Sequence, residues 1–188
     1  MSEKYTTRRI VFESLPLLLA VALLSVISGQ VLQGHETLLL SLPVFLLIVP
    51  AFVNQSGDIA AVLASRITTE LYTGSTQKSV LKSDNLKGSV LGLLLSSSIG
   101  FTFLTILSYT VSMLLGLNTL PFETLWIIML LSGITTILAV MFVGLIIAII
   151  TFRWGLDPDN FSAPVVTTTS DVIGIFLLFL FASLLGGI

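Results

Sequence analysis

Residues 162–185 read SAPVVTTTSDVIGIFLLFLFASLL. The run is long enough to cross a bilayer as a helix, which takes about 20 apolar residues for about 30 Å of hydrocarbon. Yet it carries one acid, Asp171, directly behind Thr167, Thr168, Thr169 and Ser170. An acid inside a span costs several kcal/mol unless it is paired, hydrated or metal-bound. The stretch therefore sets two expectations: a membrane helix, and a function gathered at Asp171.

The rest of the chain extends the first expectation. Of its 188 residues, 55% are hydrophobic and only 10% charged, against about 25% charged in an ordinary soluble domain. Mean hydropathy is +1.08. Too few polar groups remain to cover a soluble surface, and disorder is equally excluded. A net charge of -2 with no basic patch excludes a nucleic-acid binder. The lack of cysteine removes disulfides, thiolate chemistry and iron–sulfur clusters. Five apolar runs are long enough to span: about 14–32, 37–64, 88–117, 122–151 and 162–185. They are continuous rather than alternating, so they read as helices and not as barrel strands. The expected fold is an all-α integral membrane protein, a single transmembrane domain over 1–188, multi-pass in the cell membrane. Lys4, Arg8 and Arg9 followed by Leu15 to Leu24 also have the layout of a signal peptide, but the apolar run continues past Ser25 and four more spans follow.

Basic residues orient the chain. Lys4, Arg8 and Arg9 precede the first span, Arg66, Lys78, Lys82 and Lys87 flank the connection after the second, and Arg153 follows the fourth. The connections around His35 and Asn118 have no Lys or Arg. With five spans, all eight fall on one side, and a sixth span would break the pattern. The expectation is an N-terminus in the cytoplasm and a C-terminus outside. The connection from Ile67 to Lys87 has room for a short interfacial helix.

Two acids lie deep. Asp58 is eight residues from Arg66, about 12 Å along a helix, and Asp171 is nine residues into its span, about 14 Å from the same face. The two carboxylates are thus expected at similar depth. Asp58 follows Asn54, Gln55, Ser56 and Gly57, between Pro50 and Arg66. Thr167 and Thr168 stand at i-4 and i-3 from Asp171, on its side of a helix. Carboxylate, amide and hydroxyl oxygens without sulfur suit a hard cation such as magnesium. The candidate metal-facing residues are Asp171, Asp58, Thr167, Thr168 and Asn54. Pro50, Gly57 and Pro164 suggest irregular helices that free backbone carbonyls for an ion. Packing readings stand beside these: Asp171 held by neighbouring hydroxyls, Asp58 paired with a snorkelling Arg66, and threonines joining helices. Gly92, Gly100, Gly133 and Gly144 read as sites of close helix packing.

Gly155-Leu156-Asp157-Pro158-Asp159, then Ala163-Pro164-Val165-Val166-Thr167-Thr168-Thr169-Ser170-Asp171-Val172-Ile173-Gly174, resembles the last membrane helix of the MgtE magnesium channel/transporter family. Gly57-Asp58-Ile59 through Leu63-Ala64-Ser65-Arg66-Ile67-Thr68-Thr69 resembles the matching helix of the related solute carrier family 41. The resemblance covers the five-span plan and is specific in these two stretches. It implies a homodimer with an ion path along the dimer axis, Asp171 as the central magnesium ligand, and Thr167, Thr168 and the Asp58 region along the path. The family's usual asparagine after the glycine is Asp58 here, which adds two negative charges per dimer. Only 13 residues precede the first span, so the membrane part alone is expected, without the regulatory domains of bacterial MgtE.

The expected function is therefore divalent-cation transport, with Mg2+ as the bound and carried ion, by channel-like permeation rather than enzymatic turnover. An exchanger coupled to protons or sodium is the alternative within that class. Outside it stand a non-transporting membrane scaffold and an intramembrane aspartyl protease. The protease would need two aspartates, but Asp58 and Asp171 lack its Y-D and G-x-G-D contexts.

Overall fold

A computed structural model describes residues 7–72, 84–154 and 158–186. Its elements are α1 (Thr7–Gln33), α2 (Glu36–Ser41), α3 (Val44–Tyr72), α4 (Asp84–Leu115), α5 (Phe122–Arg153) and α6 (Pro158–Gly186). All described regular structure is helical. Five of the helices, all but α2, are long and apolar enough to cross a membrane. The chain is a multi-pass membrane protein.

The second apolar run begins differently from its expected limit. It divides at Leu42-Pro43 into α2 and α3. Proline lacks an N–H and pushes the residue before it out of the helical region, and Leu42 has φ -126° and ψ 77°. From Val44 the helix then continues unbroken to Tyr72, past the expected limit at 64. Pro50 and the Asn54–Asp58 run lie inside one continuous helix, so the chain is not broken there, though Pro50 lacks the N–H that would meet the Leu46 carbonyl. Pro50 is exposed. Pro164 likewise lies inside α6, while Pro158 takes the first position, where a missing N–H costs little. At the end of α4, Gly116 adopts φ +64°. The Leu117 N–H then reaches the Ser112 carbonyl and the Gly116 N–H the Met113 carbonyl, a Schellman ending. The interfacial helix expected between Ile67 and Lys87 would fall on 73–83, outside the described residues.

Helices α3, α4, α5 and α6 form a ring in which each packs on the next, α6 closes back onto α3, and α3 also touches α5. α1 packs on α6 from outside the ring. Neighbours run antiparallel. Arg66 pairs with Ser89 while Gln55 abuts Gly100, and Gly144 meets Val166 while Gly174 meets Thr136. The ends bearing Arg66, Lys87 and Arg153 therefore gather at one end of the bundle. His35, at the other end, stacks on Phe179 at 4.4 Å between ring centroids, and its Nδ1 lies 2.8 Å from the Val31 carbonyl.

Packing differs between the two ends. The half near His35 is filled by bulky groups, among them Phe45, Phe52, Phe101, Met129 and Phe179. The half near the basic residues mixes Leu63 and Ile67 with the smaller Ala60, Ala64, Val140, Val166 and Ala148, and small side chains let helices approach closely. Most buried hydroxyls donate to their own helix: Thr105 to Phe101, Ser132 to Ile128 and Thr136 to Ser132. In hydrocarbon each would otherwise be an unsatisfied donor.

The glycine expectation holds at three of four positions. A Cβ at Gly133 would overlap the Phe101 ring, one at Gly100 would overlap the Gln55 amide, and one at Gly144 would lie 3.0 Å from Val166. Gly92 has no such neighbour within 4 Å. Gly133→Ala should therefore destabilise the detergent-solubilised protein by about 1–3 kcal/mol. Gly92→Ala should leave it unchanged or raise it by up to about 1 kcal/mol. Thermal unfolding of the two variants beside wild type checks this.

Candidate functional site

Asp58 is the central residue of the 29-residue α3, and Asp171 precedes the centre of the 29-residue α6 by one position. Two antiparallel helices whose centres touch must bring these residues together. The contact is Gly57 against Thr167: a Cβ on Gly57 would lie 3.8 Å from the Thr167 Cβ. The absent side chain leaves space beside the contact. That space is a cavity of about 340 Å³ lined by Pro50, Val53, Asn54, Gly57, Asp58, Thr167 and Asp171. Asn54 and Asp58 are exposed, whereas Thr167 and Asp171 are half-buried. The cavity is thus a groove on the flank of the bundle, open sideways at the middle of the membrane-crossing helices.

The polar groups in it are few and differently committed. Asn54 Nδ2 donates to Asp58 Oδ2 at 3.4 Å, one turn along α3. Thr167 donates to the carbonyls of Ala163 and Pro164 at 3.0 and 3.1 Å. Its hydroxyl proton is used, and its oxygen retains acceptor capacity toward a cation or water. No hydrogen-bond donor among the described residues reaches the Asp171 carboxylate. The reading of Asp171 as an acid tied down by neighbouring hydroxyls is therefore not realised. Nor is the pairing of Arg66 with Asp58, because the Arg66 guanidinium donates to Ser89 Oγ at 2.9 Å on α4.

Of the five candidate residues, the structure brings Asp171, Asp58, Thr167 and Asn54 to one groove. Thr168 is not among its lining residues. It is buried and its hydroxyl donates to the Pro164 carbonyl at 2.9 Å. One residue is a step of about 100° around a helix, enough to carry it from the groove to the packed interior. The polar run on α3 is divided in the same way. Asn54 and Asp58 face the groove, Gln55 turns to Gly100, and Ser56 is wholly buried with no partner for its hydroxyl among the described residues. Pro50, Val53 and Gly57 complete the wall. The sequence points to Gly57 as a place of irregular backbone; in the structure it lies within continuous helix and instead leaves room beside Thr167.

Among the described residues, no group of three or more His, Asp and Glu side chains converges to hold a metal. One chain supplies two carboxylates, one amide and one hydroxyl at this groove. That set is too sparse to strip a small divalent ion of its water, but its all-oxygen character suits an ion that keeps most of its hydration shell.

Against this geometry, a family model described as MgtE, divalent cation transporter, matches residues 49–181. The chain belongs to the MgtE family. The matched region runs from the first turns of α3 to the last turns of α6 and so takes in the whole four-helix ring and both walls of the groove. Among curated proteins, none matches the sequence. Membership in MgtE carries divalent-cation transport as the general function, which neither the scaffold nor the protease reading shares.

The natural chain has no cysteine, so single cysteines report exposure directly. Asn54→Cys and Thr167→Cys should react in membranes with a small charged thiol reagent. Ser56→Cys and Ser170→Cys, both at wholly buried positions, should stay unmodified until the protein is denatured. Mass shifts after timed labelling measure the difference.

Proposed function

We propose that the protein carries magnesium through a path lined by the α3–α6 groove, that two copies face each other across this groove, and that permeation is channel-like. The observation behind this reading is the open groove with two mid-helix carboxylates, one of which has no donor among the described residues. Acids facing lipid at this depth are costly, so the groove needs a polar and hydrated surface opposite. A second copy related by a twofold axis presents the same groove. It would double the carboxylates to four and place Asn54 and Thr167 on both sides.

Asp171 is the central ligand in this reading, and Asp58, hydrogen-bonded by Asn54, adds negative potential beside it. Thr167 offers its oxygen to the ion's water. Thr168, packed inside, fixes the helix rather than meeting the ion. A wet path with mixed oxygen donors binds a hydrated ion well enough to admit it and loosely enough to release it. With the basic end in the cytoplasm and the C-terminus outside, the membrane potential drives entry by about 2.3 kcal/mol per charge per 100 mV.

Flux in liposomes tests the reading. Asp171→Ala should lower magnesium influx to about a tenth or less, a rise of about 1.4 kcal/mol or more in the barrier, while the protein elutes as wild type. Asp58→Asn should retain flux but weaken its competition by other divalent ions. Influx unchanged in Asp171→Ala would overturn the assignment. Influx that requires an opposing proton or sodium gradient would replace the channel with an exchanger.

A further inference from the structure

A second opening lies on the far side of α3. Leu63 is nine residues from Asn54, and Ile67 nine from Asp58. At about 100° per residue this is half a turn out of phase. Leu63 and Ile67 meet α4 and α5 around a cavity of about 540 Å³, whose wall includes Leu91, Leu94 and Phe142. Lys87 is the one lining residue that is not apolar. Leu91 and Phe142 are largely exposed, so this cavity too opens sideways.

Its charge is confined to one end. Lys87 and Arg66 are both exposed, on adjacent helices, and the Arg66 guanidinium reaches Ser89, two residues along α4 from Lys87. From Lys87 the wall runs seven residues to Leu94, about 10 Å, within the roughly 15 Å half-thickness of the hydrocarbon. Two cations at the mouth, with Glu70 one turn beyond Arg66 on α3, above an apolar trough of this depth match a molecule that is anionic at one end and hydrocarbon below. A second copy fits less well, since twofold docking by this face brings Lys87 and Arg66 against their own copies with no counter-ion between them, whereas the acids of the Asn54–Asp58 groove would share a cation. We propose that the groove between α3, α4 and α5 holds an acyl chain of an anionic phospholipid, with its phosphate at Lys87 and Arg66. Because it lies half a turn from the Asn54–Asp58 face, the lipid can stay bound whatever covers that face.

Native mass spectrometry of the detergent-purified full chain tests this, with phosphatidylglycerol and phosphatidylcholine of identical acyl chains titrated in turn. Wild type should retain phosphatidylglycerol preferentially, by about fivefold for each basic residue engaged. Lys87→Gln with Arg66→Gln should abolish the preference. Leu94→Trp, which fills the trough, should lower retention of the last phosphatidylglycerol without altering either cation. Equal retention of the two lipids by wild type overturns the proposal without relying on any variant's folding. So does a preference that survives both sets of substitutions, or a Leu94→Trp variant whose change is loss of a second copy rather than loss of lipid.

Discussion

A carboxylate at the centre of a membrane helix with no donor among the described residues is the constraint on which the rest of this structure turns. Asp171 cannot sit at that depth against hydrocarbon without a cost of several kcal/mol. Everything around it can be read as the answer to that cost. Gly57 withdraws a side chain and opens a space. Asn54 turns its amide to Asp58, and Thr167 consumes its own proton on its own helix. What is left in the groove is a set of oxygens whose charge calls for a hydrated cation.

The same ring shows how a bundle with many hydroxyls avoids becoming a general polar channel. Thr105, Ser132 and Thr136 are buried but bonded to carbonyls of their own helices. Ser56 and Ser170 are the exceptions nearest the groove, wholly buried with no partner for their hydroxyls among the described residues. Polarity alone therefore does not mark the groove. Exposure at mid-helix together with uncommitted acceptors does.

Much of this could be read from the chain. The five apolar runs and the two deep acids followed from composition and from 1.5 Å per residue, and the common level of Asp58 and Asp171 emerged from counting along each run. Other features could not be read, for physical reasons. Residues adjacent in sequence point about 100° apart on a helix, so Asn54 to Asp58 looked like one polar cluster and proved to be three separate environments. Thr168 differs from Thr167 by that single step. Pro43 and Pro50 look alike in sequence, yet one ends a helix and the other lies on its exposed face. The destination of Arg66 was equally hidden, because a long side chain can turn toward either neighbour and only the position of α4 selects Ser89.

The two grooves share α3 as a common wall, with Asn54 and Asp58 on one face and Leu63 and Ile67 on the other. A helix is nearly a rigid rod over two turns. Rolling α3 about its own axis cannot change one groove alone, and a tilt that brings one face toward its neighbour draws the other face away. The helix is in this sense a see-saw, with the acids at one arm and the hydrocarbon trough at the other. The two openings have α3 in common and no lining residue in common.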